Sequence, residues 1–257
     1  MWEEEISTVS RAARAAGRIL GRMFGNVTHI VKKGEIDLVT DADLEAEKAI
    51  LDIIRRKYPD DGIHSEEAGR ENSASERTWL VDPLDGTTNF AHGFPFFAVS
   101  IALQVKDEIV LGVVYNPYLK EYFEASKGSG AFLNHKPIRV SKTHLLSDAL
   151  LATGFPYDVH DRPHEIMNIF TRMVGKARGV RRPGSAAIDL CYVAAGRFDG
   201  FWETGLKPWD TAAATVIVRE AGGILSTFDG RPFSPYLDTV VASNRHLHKP
   251  LLAVFRE

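Results

Sequence analysis

The chain has 257 residues, 44% of them hydrophobic and 25% charged, with a formal net charge of −3 at pH 7; that is the composition of a globular enzyme with a sizeable core, in one large domain or two small ones. This charge argues against a general nucleic-acid binder, which needs a basic surface to displace counterions from phosphates. Cys191 is the only cysteine, so no intrachain disulfide can form, and the run around it reads as buried helix with a core thiol.

The acidic opening Met1-Trp2-Glu3-Glu4-Glu5 stands where a secretory or transit peptide would be basic. Ile6, Val9, Ala13, Ala16 and Leu20 then fall on one stripe of an amphipathic helix ended near Gly21 and Gly25. A second helix is predicted after Thr40, running to about Tyr58 and stopped by Pro59 and Asp60-Asp61-Gly62. An apolar strand at 78–81 precedes three β-rich runs, 97–103, 109–115 and 121–125, which read as an antiparallel meander. The most apolar stretch, 94–105, is too short and interrupted to span a bilayer; with the acidic opening, this makes the cytoplasm the expected location.

From about residue 148 strands and helices alternate: strand 149–152, helix near 163–174, a strand ending at Val180, helix 185–195, strand 198–202, helix 208–221 and strand 239–242. The fold class is α+β or layered α/β. No repeat, linker or compositional break divides the chain, so 1–257 reads as one domain of two packed lobes, about 1–148 and 149–257.

The richest segment for chemistry is Trp79-Leu80-Val81-Asp82-Pro83-Leu84-Asp85-Gly86-Thr87-Thr88-Asn89. A strand brings Asp82 to a sheet end, Pro83 fixes the turn and Asp85 follows, so two hard oxygen ligands can converge in a way that suits Mg²⁺. Gly86 permits close backbone approach, and the amides of Thr87 and Thr88 could open a short helix that holds an anion. A plain Asp-Pro-x-Asp-Gly turn with a capping threonine fits the same residues. Thr40-x-x-Asp43 fits a variant capping box. His160 and His164 have ligand-like spacing interrupted by Pro163, and His246-x-His248 reads as solvent-exposed.

The run 82–89 resembles the central motif of the inositol monophosphatases, and Trp209-Asp210 followed by Glu220-Ala221-Gly222-Gly223 resembles their second motif. The upstream Glu66-Glu67 and Asp37-Leu38-Val39-Thr40 match in order, and the run 181–187 through 205–210 is closest to the bacterial branch. The resemblance implies the αβαβα sandwich of the inositol monophosphatase and fructose-1,6-bisphosphatase type. It also implies two to three Mg²⁺ ions held by Glu66, Asp82, Asp85, Asp210 and the carbonyl of Leu84, with Asp82 bridging two ions and Glu67 in the outer shell of a third.

By the same resemblance Asp43 hydrogen-bonds Thr87 and the pair orients the attacking water, an alternative to the capping box that leaves Asp43 free to serve both. Lys33 would be a flexible loop lysine near the site, or simply a solvated charge. Gly184, Ser185 and Ala186 would present polyol-contacting backbone and Glu203 would bind a hydroxyl; an ordinary helix cap and a strand-end glutamate are the competing readings. Gly86, Thr87 and Thr88 would grip phosphate.

Phosphate monoesters need enhancements of up to about 10²¹, and general acid–base help supplies only about 10²–10⁴, so paired metals are the chemistry that suffices. The expected activity is Mg²⁺-dependent hydrolysis of inositol monophosphate, lithium-sensitive and carried by a homodimer. Dual action on fructose 1,6-bisphosphate is the runner-up. An interaction role with the transcription machinery is the reading of another class, with Lys176, Arg178, Arg181 and Arg182 as its docking face.

Overall fold

In the computed structural model, residues 2–26, 30–32, 38–71, 73–156, 158–161 and 163–257 are described. Helix α1 (Glu3–Met23) carries three glutamates in its first turn and buries the expected stripe, Val9, Ala13, Ala16 and Leu20 among it. Short strands β1 (Ile30–Lys32) and β2 (Leu38–Thr40) pair antiparallel before α2 (Asp41–Lys57). Two short strands, β3 (Gly62–Ser65) and β4 (Gly69–Glu71), then lead to β5 (Arg77–Asp85), which extends beyond the apolar run that announces it.

After α3 (Thr87–Ala91) the meander forms as expected from β6 (Ala98–Val105), β7 (Glu108–Asn116) and β8 (Glu121–Ser126), and β9 (Gly130–Leu133) and β10 (Lys136–Pro137) prolong it. The resulting eight-stranded sheet has the order β10-β9-β8-β7-β6-β5-β3-β4. The second half supplies β11 (Leu150–Thr153), α4 (Pro163–Lys176), β12 (Gly179–Arg181), α5 (Ala186–Ala194) and β13 (Gly200–Thr204). It ends with α6 (Pro208–Glu220), β14 (Ile224–Ser226), β15 (Thr239–Ser243) and α7 (His248–Val254). Its strands form a five-stranded sheet of order β12-β11-β13-β15-β14.

The layers alternate α, β, α, β, α. Helices α1 and α2 cover one face of the large sheet, α5 and α6 lie between the sheets, and α4 and α7 cover the far face of the small one. Strand period explains the assignment: Val99, Ile101 and Leu103 of β6 point into the core under α1 and α2, whereas Ala98 and Ala102 point into the core shared with α5 and α6. Small residues face the inner helices because α6 comes very close; a Cβ on Gly112 would lie 2.3 Å from the carbonyl oxygen of Ala213.

The apolar strands of the meander are covered on both faces, and what stays exposed nearby is Phe94, Tyr118 and Leu119, outside those strands. One expectation is corrected. His248 is buried rather than exposed: its ring nitrogens bond Ser243 Oγ and Ser226 Oγ, both at 2.9 Å, so that it ties α7 to β15 and β14. Cys191 lies in the inner core as read, its thiol pushed up by burial. Among the described residues no helix is long and apolar enough to cross a membrane.

Candidate active site

Asp82 and Asp85 are an odd number of residues apart, so on a regular strand their side chains would point to opposite faces. The β5–β6 ladder prevents this. Asp82 pairs with Ser100 and Asp85 with Ala98, so three steps on β5 match two on β6, and this bulge turns both carboxylates toward the inner helical layer. Leu84, inside the bulge, points the other way into the core under α1 and α2.

Each aspartate has one oxygen held by the chain. Asp82 Oδ1 accepts from Leu84 N at 2.9 Å, and Asp85 Oδ2 accepts from Ser185 Oγ at 2.5 Å and Ala187 N at 2.8 Å, at the start of α5. Asp210, on the first turn of α6, accepts from Lys207 N at 2.7 Å. In each case an ion could be met by the second oxygen. Pro208 opens α6 and fixes that turn.

Glu66 completes the set from the loop after β3, where its amide donates to Val81 O at 3.1 Å. That loop is organised by Glu47 of α2, whose Oε1 accepts from Ser65 Oγ, from Glu67 N at 3.0 Å and from Ala68 N at 3.1 Å. Sequence reasoning missed Glu47. Its signal was present: it lies one helical turn after Asp43 among the buried residues Ala46, Ile50 and Ile54, an unusual place for an acid.

Asp43 makes both sets of contacts weighed for it. Its Oδ2 accepts from Thr40 N at 2.8 Å and Thr40 Oγ1 at 2.5 Å, closing the helix cap, while its Oδ1 faces Thr87 Oγ1 at 3.1 Å. The hydroxyl of Thr87 also lies 3.0 Å from the carbonyl of Leu84. Burial is the main cause that pushes the carboxyl of Asp43 up to about 6.

Gly86 has φ +94°, and a Cβ there would meet Phe96 O at 3.0 Å and Gly184 O at 3.2 Å, so only glycine fits this junction. Asn89 Nδ2 reaches Phe96 O at 2.7 Å and Pro183 O at 2.9 Å, which fastens the loop before α5 to the central motif.

One cavity of about 310 Å³ is lined by Glu66, Asp82, Leu84, Asp85 and Asp210, by Gly86, Thr87 and Thr88, and by Gly184, Ser185, Ala186 and Glu203. Asp43 and Glu67 are not among its lining residues; Asp43 stands behind Thr87, and the charge of Glu67 reaches Asp43. Lys33 and Asp37 lie outside the described residues. The lining also includes Gly154, Arg182 and Asp189, which the sequence did not single out. A Cβ on Gly154 would lie 2.1 Å from a carboxylate oxygen of Glu203, so glycine makes the room for that acid.

The electrostatics suit a divalent cation. Asp82 is driven well above the usual carboxylate range by burial, then by Glu66, Asp85 and Asp210; Asp210 is raised by burial and by Asp85. Burial pushes Asp85 up to about 6 and Glu203 up to about 8. Acids gathered this tightly repel one another, and a hard cation among oxygen donors is what relieves them. Among the described residues no three acids already stand at the spacing of a closed coordination shell; the donors share a cavity without converging on one point.

The model of the inositol monophosphatase family matches residues 1–257. An inositol-1-monophosphatase of Synechocystis sp. is 47% identical over 249 residues, covering 96% of this chain and 86% of that protein. The Nus factor SuhB of Escherichia coli K12 is 43% identical over 250 residues, covering 96% and 94%. The crystal structure of the extragenic suppressor protein suhB from Bartonella henselae superimposes with a TM-score of 0.94 at 41% identity, covering 99% of each chain.

Proposed function

The chain belongs to the inositol monophosphatase family, and on that premise we propose that it is a Mg²⁺-dependent phosphomonoesterase that hydrolyses inositol monophosphate to inositol and phosphate. The observation that carries this reading is the meeting of Glu66, Asp82, Asp85, Asp210 and the Leu84 carbonyl in one cavity beside Thr87. An all-oxygen donor set of this kind suits Mg²⁺. When bound, two to three such ions supply the positive charge that neutralises phosphate oxygens, acidifies water and steadies a leaving alkoxide.

The chain's own groups do the positioning. Thr87 Oγ1 donates toward Asp43, which leaves a lone pair to accept a hydrogen bond from the attacking water and aim it at phosphorus. The amides following Gly86 face the phosphate, and Glu67 belongs to the outer surroundings of Glu66. Gly184, Ser185, Ala186 and Glu203 take the polyol. Because phosphate is gripped more fully than polyol, other small phosphorylated polyols, fructose 1,6-bisphosphate included, are expected as slower substrates.

We take the whole chain as one domain of two packed lobes, about 1–148 and 149–257, since the inner core draws residues from both. A homodimer is proposed from the exposed Phe94, Tyr118 and Leu119, and Li⁺ is proposed as an inhibitor uncompetitive with substrate. The Escherichia coli relative called a Nus factor favours a second, additional role in binding a partner. The basic cluster gives it little support, since Lys176 pairs with Glu257 and Arg178 with Asp148 at the surface.

Phosphate release across a panel of phosphorylated polyols, with excess Mg²⁺ and then with excess chelator, tests the main reading. We expect inositol 1-phosphate to be turned over and chelator to abolish it. Undiminished turnover in chelator would show the assignment to be wrong.

A further inference from the structure

The reading above uses one carboxylate, Glu203, at the polyol end of the cavity, but a second stands there. Asp189 lies on the first turn of α5, is 1% exposed and lines the same cavity as Ser185 and Glu203. Its Oδ1 is buried and, among the described residues, has no hydrogen-bond partner. A buried acceptor in that condition has given up water and gained nothing from the fold in exchange.

The ordinary structural duties of an acid in this place are already filled. At the start of α5, Ile188 N is capped by Ser185 Oγ at 3.4 Å, Ala187 N donates to Asp85 at 2.8 Å, and Asp189 N itself bonds Ser185 O at 2.9 Å. Among the described residues the cation whose field reaches Asp189 is Arg182, and its guanidinium rests over the ring of Phe155, 5.6 Å from the centroid. Burial, with Glu203 and Asp85 nearby, pushes the carboxyl of Asp189 well up. The carboxylate of Glu203 stands against Gly154, and both acids line the cavity.

We infer that Asp189 is a specificity-determining residue: its Oδ1 accepts a hydrogen bond from a substrate hydroxyl beside the one taken by Glu203, so that the two acids together recognise a diol on the polyol. This deepens the phosphatase reading and rests on it. A site that keeps a buried acceptor waiting rejects an analogue lacking the matching hydroxyl more strongly than an apolar pocket could.

The test compares kcat/KM of the wild type, Asp189→Leu and Asp189→Asn on inositol 1-phosphate and on phenyl phosphate, whose alcohol carries no further hydroxyl. We expect Asp189→Leu to lose about tenfold or more on inositol 1-phosphate, chiefly in KM, and to keep its rate on phenyl phosphate. Asp189→Asn, which retains an acceptor oxygen, should recover most of the loss. Thermal unfolding of metal-free Asp189→Leu should occur no lower than in the wild type, because a buried acid with an unsatisfied oxygen has been removed. Equal losses on the two esters, or none on either, overturn the inference. If the wild type releases phosphate from neither ester, the phosphatase reading fails on its own. Calorimetric titration of free myo-inositol into wild type and Asp189→Leu then decides Asp189: about tenfold weaker binding by the variant supports its role, and indistinguishable behaviour overturns it.

Discussion

Thr87 has one hydroxyl proton and two acceptors within reach, Asp43 Oδ1 and the Leu84 carbonyl, so its orientation depends on which acceptor prevails. An ion held by the Leu84 carbonyl would weaken that acceptor and make Asp43 the better partner, which would set the lone pair of Thr87 for water. Removing the hydroxyl should therefore affect the reaction more than binding: Thr87→Ala is expected to lower kcat by about a hundredfold or more with KM little changed and circular dichroism unaltered. Thr87→Ser should retain most of the activity. A Thr87→Ala enzyme with near wild-type kcat would remove Thr87 from the mechanism. At this scale the acids of the motifs were legible because each sits in a distinctive run of residues. Glu47, Gly154 and Asp189 were not, since what marks them is their surroundings: the amides of Glu67 and Ala68, the carboxylate of Glu203, and for Asp189 Oδ1 the lack of a hydrogen-bond partner among the described residues.

Among elements, α6 is placed by contact with the sheet at Gly112, where no side chain can intervene, and Ser100 Oγ reaches the carbonyl of Trp209 at 3.2 Å near its start. Gly112→Ala should push the helix away and carry Asp210 with it. We expect a loss of about 1–3 kcal/mol in stability, the usual range for overpacking, together with a fall in kcat at saturating Mg²⁺. Denaturant unfolding and turnover on one preparation would check this; a variant as stable and active as wild type would mean that α6 adjusts freely. The long elements were legible because their apolar periods are regular, as in α1 and β6. The short strands β3 and β4 were not, since Gly62-Ile63-His64-Ser65 and Gly69-Arg70-Glu71 alternate too briefly to signal and are strands only through their neighbours. Helix α7 was hidden by its polar start and Pro250, and with it the burial of His248.

For the molecule as a whole, the raised carboxyls make stability depend on pH in a definite sense. In the unfolded chain these acids titrate near 4, whereas in the fold Asp85 is held at about 6 and Glu203 at about 8. The metal-free folded protein thus binds more protons than the unfolded one above pH 4, and this part of its stability is lost as pH rises through those values. His248, lowered by burial, acts oppositely and weakens the fold only as pH falls below about 6.5. Between pH 6.5 and 8 the carboxyls therefore set the trend, and toward pH 9 the buried thiol of Cys191, also pushed up, adds to it in the same sense. Metal-free protein should melt at a lower temperature at pH 9 than at pH 6.5, and excess Mg²⁺ should raise both midpoints and shrink the difference. A flat profile without metal would contradict the clustering of acids described above.

The shared inner layer of helices also bears on the order in which the molecule assembles. Strands β5 to β10 follow one another around the large sheet in chain order, so Asp82 and Asp85 are set in place by short loop closures, whereas Asp210 arrives only when α6 docks against β6 and β7 from far along the chain. Short closures come first in folding and long ones later. A cation held by all three aspartates should then grip the finished protein and not the transition state, acting as a kinetic lock: in stopped-flow experiments Mg²⁺ is expected to slow unfolding several-fold and leave the refolding rate nearly unchanged.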